Sequence, residues 1–488
     1  MQKVLTMATL PSSLSSLGLK YLEHDTLRAR FDGYDKNGDG TIDASEAKQL
    51  LRDAGVPEPS KDQAQEVVAS LDALKDGRVH WEEFKAAVDK AAEPVDKRVS
   101  PISAALLLYF AGLGVQIPVL PMFMKSLGLA NAEIGVVSSS HSLAKLLSNV
   151  PAAKIVDRVG RRPLLVGGTA LEAVAMAGMG ASHSAPEMMC CMALAGVGGT
   201  SMITGATMYL ADISTPRNRA RTNMPLQMTA LLGISLGPVL GGFLASSYGV
   251  QAPFYVVSAM LATSSAALWA TCPETLGQQA PATAEGGTVL AQWRDIGNVR
   301  ELQGLFATSL TQGIREGGMQ VTSMLFMYDT LGFSTQQVGF YMMGAVGSML
   351  ICAKPAASLS DRYADNRSAL MLPAFAAPFV TLGAQSLSTS VSNPALAFCG
   401  LGMVGACFSA VQMATIGPFI ISLTSEQQRA QAMAVNTTAV DVGRVVGATS
   451  LGVLGGIAGV PAAMQATSVV GLAATGFFAV RARPQGMR

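Results

Sequence analysis

From Pro101 to Arg481 the chain is a series of twelve apolar stretches, each about long enough to cross a bilayer. A hydrocarbon core about 30 Å thick takes roughly 20 mostly apolar residues in a helix. Such stretches lie near 101–124, 133–155, 163–182, 187–210, 224–246 and 251–272, then near 303–328, 335–358, 369–388, 394–423, 430–455 and 461–481. In lipid every backbone polar group needs a partner within the protein, and a helix supplies its own. The expected fold is therefore an all-α membrane protein with twelve transmembrane helices.

The stretches form two sets of six around a polar segment, 273–302, rich in Ala, Gln, Thr and Gly. LGLANAEIG begins at Leu127 and LGFSTQQVG at Leu331, while PAAKIVDR begins at Pro151 and PAASLSDR at Pro355. Both pairs are 204 residues apart. Two separate matches on one ungapped offset indicate a parallel duplication, with halves at 101–272 and 303–481 and a tail at 482–488. A duplication of this kind puts a solute site at the interface between the halves.

Charge is distributed differently. Only 14% of the 488 residues are charged and mean hydropathy is +0.36, against about 25% charged in soluble chains. Yet residues 1–99 hold 14 Lys+Arg and 18 Asp+Glu, nearly half of all the charges. A soluble, slightly acidic head thus precedes a long apolar body. The net charge of +1 argues against a nucleic-acid binder. The six cysteines make no metal-ligand spacing, and no phosphate loop of the GxxxxGK[ST] type is present.

Within the head, DGYDKNGDGTIDASE sets Asp35, Asn37, Asp39, Asp43 and Glu46 at positions 1, 3, 5, 9 and 12 of a calcium loop. Gly40 takes the sharp turn at position 6, and Thr41 offers its carbonyl at position 7. The register matches an EF-hand loop, with Ca2+ as the expected cofactor. A second copy begins at Asp72 and keeps Asp76, Gly77, Val79 and Glu83 at positions 5, 6, 8 and 12. Leu74 at position 3 supplies no oxygen, and His80 replaces the acid at position 9. The second loop is expected to pair with the first, Val79 against Ile42, and to hold calcium weakly or not at all. The EF-hand pair is placed at 21–92, after a disordered or weak targeting tail at 1–20 and before a linker at 93–100. The polar run 90–100 spans at most about 35–40 Å when extended, so the head stays near the membrane.

Lys and Arg set the orientation. Arg158, Arg161, Arg162, Arg217, Arg219, Arg221, Arg362, Arg367 and Arg429 lie in loops of one side, and the other side offers only Lys125. The arginine side is cytoplasmic by the positive-inside rule, and an even number of spans puts both termini there.

Over residues 101–481 the body resembles the major facilitator superfamily, in particular its proton-linked drug and metabolite antiporter branch. DRVGRRPLL, with Asp157, Arg158, Gly160, Arg161 and Arg162, looks like that family's signature between helices 2 and 3, and Asp361 and Arg362 open the second-half copy. GISLGPVLGG, with Gly237 and Pro238, is similar to the antiporter motif of helix 5. Its Gly233, Gly237 and Gly241 form one smooth stripe, which suits close helix packing equally well. The resemblance implies a monomeric transporter moving a small organic solute through the lipid bilayer by alternating access, with protons as coupling ion. Two positions depart from the pattern. Met192 stands where the family's helix 4 often carries Arg, and no acid lies between 101 and 132, so the coupling ion stays open.

Ionisable residues at mid-membrane are costly and are functional candidates by default. Those near mid-depth are His141 and Lys145, Glu172, Arg315 and Glu316, and Asp441 and Arg444. His141 and Lys145 share a helix face, Asp441 and Arg444 are spaced to pair, and Arg315 and Glu316 point about 100° apart. Basic candidates outnumber acids, which favours an anionic or zwitterionic solute. No nucleophile–base cluster suggests an enzyme. The leading expectation is a calcium-regulated secondary transporter, and the alternative is a calcium-responsive membrane sensor or scaffold that no longer transports.

Overall fold

The computed structural model describes residues 24–53, 58–72, 75–90, 96–214, 218–275, 296, 299–319, 321–363 and 366–481. The expected tails at 1–20 and 482–488, most of the loop 273–302, Leu74 and Arg217 lie outside the described residues. The chain separates into two compact units, one of Met1–Val99 with Ile213–Met224 and one of Ser100–Asp212 with Pro225–Arg488.

The head contains α1 (His24–Tyr34), β1 (Thr41–Ile42), α2 (Ala47–Asp53), α3 (Lys61–Leu71), β2 (Val79–His80) and α4 (Trp81–Lys90). Ser60 starts α3 with a capping box, its hydroxyl accepting from Gln63 N while the Gln63 side chain accepts from Ser60 N. The two strands are antiparallel, with Ile42 opposite Val79 and Thr41 opposite His80. Leu27, Phe31, Ile42, Leu50, Val67, Val68, Val79 and Phe84 form one buried core. The Phe31 ring packs 5.4 Å from Trp81 and 5.3 Å from Phe84, so the aromatic residues tie the first helix to the last.

The body begins with α5 (Val99–Ser126), α6 (Asn131–Val159), α7 (Arg161–Ala181), α8 (Ala185–Asp212), α9 (Arg219–Tyr248) and α10 (Ala252–Thr271). The second half holds α11 (Arg300–Gly318), the short α12 (Ser323–Leu325), α13 (Thr335–Arg362), α14 (Arg367–Ser386), α15 (Pro394–Leu423), α16 (Glu426–Ala458) and α17 (Val460–Arg481). Among the described residues ten helices are long and apolar enough to cross a membrane. The two long helices below that hydropathy are α6 and α11, which carry His141, Lys145, Arg315 and Glu316. The charges themselves dilute the apolar signal.

The expected seventh span is interrupted. After Gly318 the α-helical ladder of α11 breaks, and the chain resumes at Ser323 and continues as a π turn over Phe326–Thr330. Broken helices are tolerated at membrane depth where they are buried in protein or line a cavity.

Glycines allow the helices to close on one another. A Cβ on Gly313 or Gly317 of α11 would collide with the Val440 or Arg444 carbonyl of α16. In return, a Cβ on Gly443 or Gly447 would collide with the Leu310 or Ile314 carbonyl. The Gly233, Gly237 and Gly241 stripe of α9 likewise lies on α5, against Ala111, Gly114 and Val115. That contact makes the stripe a packing face. The halves meet where Gly135 of α6 abuts Ala448 and Gly452 of α16, and where Gly339 of α13 abuts Pro238 of α9. The Tyr328 hydroxyl also donates to the Pro118 carbonyl across the halves.

Candidate functional site

Four of the charges expected near mid-depth form one chain of contacts. Lys145 of α6 reaches Asp441 Oδ1 of α16 at 3.0 Å, and Asn149 donates to the other carboxylate oxygen at 3.2 Å. Arg444 donates to Asp441 Oδ1 at 2.8 Å, and its Nε and Nη2 both reach Glu316 Oε2 of α11, at 3.1 and 2.8 Å. Gln312 donates to Glu316 Oε1 at 2.9 Å and accepts in turn from Gln412 of α15. The Asp441 side chain is 2% exposed, so its charge depends on these partners.

The other two candidates from these helices stand apart from the chain. His141, one turn before Lys145, lies against α8 near Gly196, and its Nδ1 is buried without a hydrogen bond. Arg315 points elsewhere than Glu316, as adjacent helical residues must. Glu172 of α7 is fully buried against α8, with neither oxygen hydrogen bonded, and lies outside the network.

Beside the network is a cavity of about 530 Å³, lined by residues of α11 to α16, among them Arg315, Met324, Tyr341, Gln385, Met413 and Arg444. Every lining residue comes from the second half, although the duplication placed the site between halves. Met319, Ser323 and Met324, at and just beyond the end of α11, line the cavity, while α6 and α16 are close-packed at the interface. The Arg444–Asp441–Lys145 bridge still connects one wall of the cavity to the first half.

The signature loop is more extensive than its sequence. Arg161 pairs with Asp157 at 3.5 Å and with Asp212, at the end of α8, at 2.8 Å. Arg162 lies over the Trp269 ring at 4.0 Å. Gly160 adopts φ +111°, and a Cβ there would meet the Glu274 carboxylate. Glu274 accepts from Arg161 N at 2.9 Å and Arg162 N at 3.1 Å, capping α7. Asp212 and Glu274 were not found from sequence, since no local spacing links 160 to 212 or 274. Arg158 is exposed and joins no ion pair with a described residue. Asp361 and Arg362 are also exposed without an ion pair among the described residues, so the second copy does not repeat the cluster.

In the head, Asp35 accepts from Gly38 N at 2.7 Å and Gly40 N at 2.8 Å, and Asn37 Oδ1 accepts from Asp39 N at 2.8 Å. The Thr41 hydroxyl and N–H hold the Asp39 carboxylate below its ordinary range, and Ser45 and Glu46 do the same for Asp43. Glu46 is buried and reaches back to accept from Lys36 N at 2.8 Å and Asp43 N at 3.1 Å. Among the described residues no three acidic or His side chains converge as they would around a metal; the loop's own N–H groups hold its oxygens. The donors are nonetheless all oxygen and ordered around a turn with Gly40 at φ +81°, which fits calcium.

The second loop shares the framework. Asp72 accepts from Gly77 N at 2.8 Å and Glu83 accepts from His80 N at 2.9 Å. But His80 Nε2 lies 2.7 Å from Asp76 Oδ2, and that bond raises the imidazole above its ordinary pKa. The His80 ring therefore sits on the position-5 ligand. Arg78 crosses to Asp39 of the first loop at 3.1 Å, a link that sequence spacing did not indicate.

The family profile of the Major Facilitator Superfamily matches residues 102–391 and 318–487, and that of the EF-hand domain pair matches residues 25–88. The quinolone resistance protein NorA of Staphylococcus aureus (strain Mu50 / ATCC 700699) is 26% identical over 166 residues, 34% of this chain and 42% of NorA. Multidrug resistance protein 2 of Bacillus subtilis (strain 168) is 28% identical over 155 residues, 32% of this chain and 38% of that protein. The chain thus matches about two fifths of the length of these relatives. In fold it is similar to a bacterial homolog of the human lysosomal transporter Spinster, inward-facing and unoccupied, with TM-score 0.66 and 16% identity over 79% of this chain and 96% of that one. The nucleoside transporter NupG also gives 0.66, with 13% identity over 80% of this chain and all of its own. The repeated six-helix halves, the signature loop and these matches converge: the chain belongs to the Major Facilitator Superfamily and carries an N-terminal EF-hand pair.

Proposed function

We propose that this chain is a secondary transporter for a small organic solute, regulated by calcium at its head. The observation that carries the transport reading is the cavity at the break in the seventh span, walled by Arg315 and by the Glu316–Arg444 end of the charge network. The network crosses from the second half to Lys145 of the first, so separating the halves would break ion pairs beside the cavity. That coupling is what alternating access requires. Asp441 and Glu316, the two carboxylates of the network, are the ones we propose for proton coupling, in a protein working as a monomer.

Loop 1 is proposed to bind Ca2+ through Asp35, Asn37, Asp39, the Thr41 carbonyl, Asp43 and Glu46. Both termini are proposed to be cytoplasmic, which exposes the loop to calcium in the sensor range of about 10⁻⁷–10⁻⁵ M. Regulation is supported by the short polar run 90–100, which tethers the head to the first transport helix. A change of the EF-hand pair on binding calcium then bears on the first transport helix through that tether. It shifts the transport equilibrium to the extent that the two transport states hold the head differently.

The test is solute flux in reconstituted vesicles, with a pH gradient imposed and calcium buffered on the head's side. Transport that follows the pH gradient and changes between calcium-free and micromolar calcium is expected. Equal rates at both calcium levels, in protein whose loop is filled, would end the regulatory reading. Absence of flux for every solute tried would favour a sensor or scaffold.

A further inference from the structure

We propose that the cavity takes an organic monoanion, a carboxylate on an apolar or aromatic body. The inference rests on the transport reading above and names the substrate class for the same cavity.

The argument starts from charge. Lys145, Asp441, Arg444 and Glu316 are two cations and two anions joined by contacts of 2.8–3.0 Å, so the network neutralises itself. Every oxygen of both carboxylates already accepts a hydrogen bond. Asn149 takes the second oxygen of Asp441 at 3.2 Å, and Gln312 takes the second oxygen of Glu316 at 2.9 Å. Arg315, the next residue along α11, lines the cavity and makes no hydrogen bond or ion pair with a described residue. The cavity therefore carries one positive charge beyond those paired within the network.

A lone guanidinium at membrane depth is expensive. Its planar fork matches a carboxylate with two parallel hydrogen bonds, strongest where water is excluded. A cationic solute would meet Arg315 with no free carboxylate to oppose it. A dianion would leave one negative charge unmatched. The rest of the wall suits an apolar body: Met319, Met324, Met342, Met349 and Met413 are flexible and polarisable, and adapt to varied shapes. Gln385 is engaged with the Phe398 carbonyl at 2.9 Å and with the Tyr341 hydroxyl at 3.3 Å, which leaves Arg315 as the anchor.

The experiment uses the full chain in lipid nanodiscs, with and without calcium, and three probes of one shape: 1-naphthoate, 1-naphthamide and 1-naphthylmethylamine. Thermal unfolding and titration calorimetry read binding. Naphthoate is expected to raise the unfolding midpoint, and the amide and amine to do so little or not at all. Arg315→Gln should weaken naphthoate about tenfold to a hundredfold, the range for losing a charge-assisted hydrogen bond, and Arg315→Lys should keep part of the affinity. Ala406→Leu, which removes cavity volume from α15, should weaken naphthoate while leaving its advantage over the amine. The lysine and leucine variants carry the test if the glutamine variant does not fold. Three outcomes would overturn the proposal: an amine or amide that binds as well as the acid, naphthoate binding unchanged in Arg315→Gln, or no response to millimolar naphthoate or octanoate. The two readings separate cleanly. Arg315-dependent binding without flux would sink transport and keep the anion site, whereas cation flux indifferent to Arg315→Gln would do the reverse.

Discussion

Lys125 and Asp329 pair with each other across the two halves, and they are 204 residues apart, the offset of the internal repeat. They are therefore equivalent positions, at the ends of the first and seventh spans, that carry opposite charges and meet between the halves. Tyr328 beside them donates to the Pro118 carbonyl and reinforces the same closure. The pair lies at the face opposite the signature loop, and only the state in which that face is closed contains it.

Lys125→Asp should therefore disfavour the closed state by like-charge repulsion. With side chains 29% and 43% exposed, the pair is expected to contribute about 0.2–1 kcal/mol, up to about a fivefold shift in population. The exchange Lys125→Asp with Asp329→Lys should restore the balance. The check is labelling of a cysteine placed beside the cavity by a reagent added from that face, with the single variant labelled faster and the double variant at the parental rate.

Asp441→Asn should be the most damaging single change in the network. It leaves Lys145 and Arg444 facing each other around a buried neutral amide, and breaking one partner of a buried ion pair costs about 3–5 kcal/mol. A lower unfolding midpoint and slower transport are expected, with partial recovery when Lys145→Met removes the stranded cation. A parental midpoint in the single variant would mean that water already screens the pair.

The interdigitated glycines of α11 and α16 leave no room for a side chain. Gly443→Val should push α16 off the Leu310 carbonyl and displace Arg444 from Glu316. Overpacking costs about 1–3 kcal/mol or more. Loss of folded, monodisperse protein is expected, whereas Gly347→Ala, which meets nothing within 4 Å, should behave as parent.

Calorimetry on the head should find one tight calcium equivalent, abolished by Glu46→Gln, because Glu46 is the position-12 ligand of the only loop with a full oxygen set. Adding oxygen ligands to the second loop, with Leu74→Asn and His80→Asp together, should create a second equivalent and remove the ring that now lies 2.7 Å from Asp76. Two equivalents in the unmodified head would show that His80 yields the loop to the ion.

Local composition and spacing determined much of this protein. Span length follows from apolar runs, because lipid admits few alternatives. The calcium register follows from ligands a few residues apart, and the pairing of Ile42 with Val79 follows from the loop copy. The charges near mid-depth were legible one by one because ionisable residues are rare there. Their partners were not. Arg444 meets Glu316 across 128 residues, Glu274 caps α7 from 113 residues away, and Arg78 reaches Asp39 from the other loop. Nor did the sequence reveal that the seventh span breaks after Gly318, or that the cavity beside it is lined by the second half alone. Such contacts depend on which helix faces lie together, and that is decided by close packing at glycines whose opposing surfaces are remote in sequence.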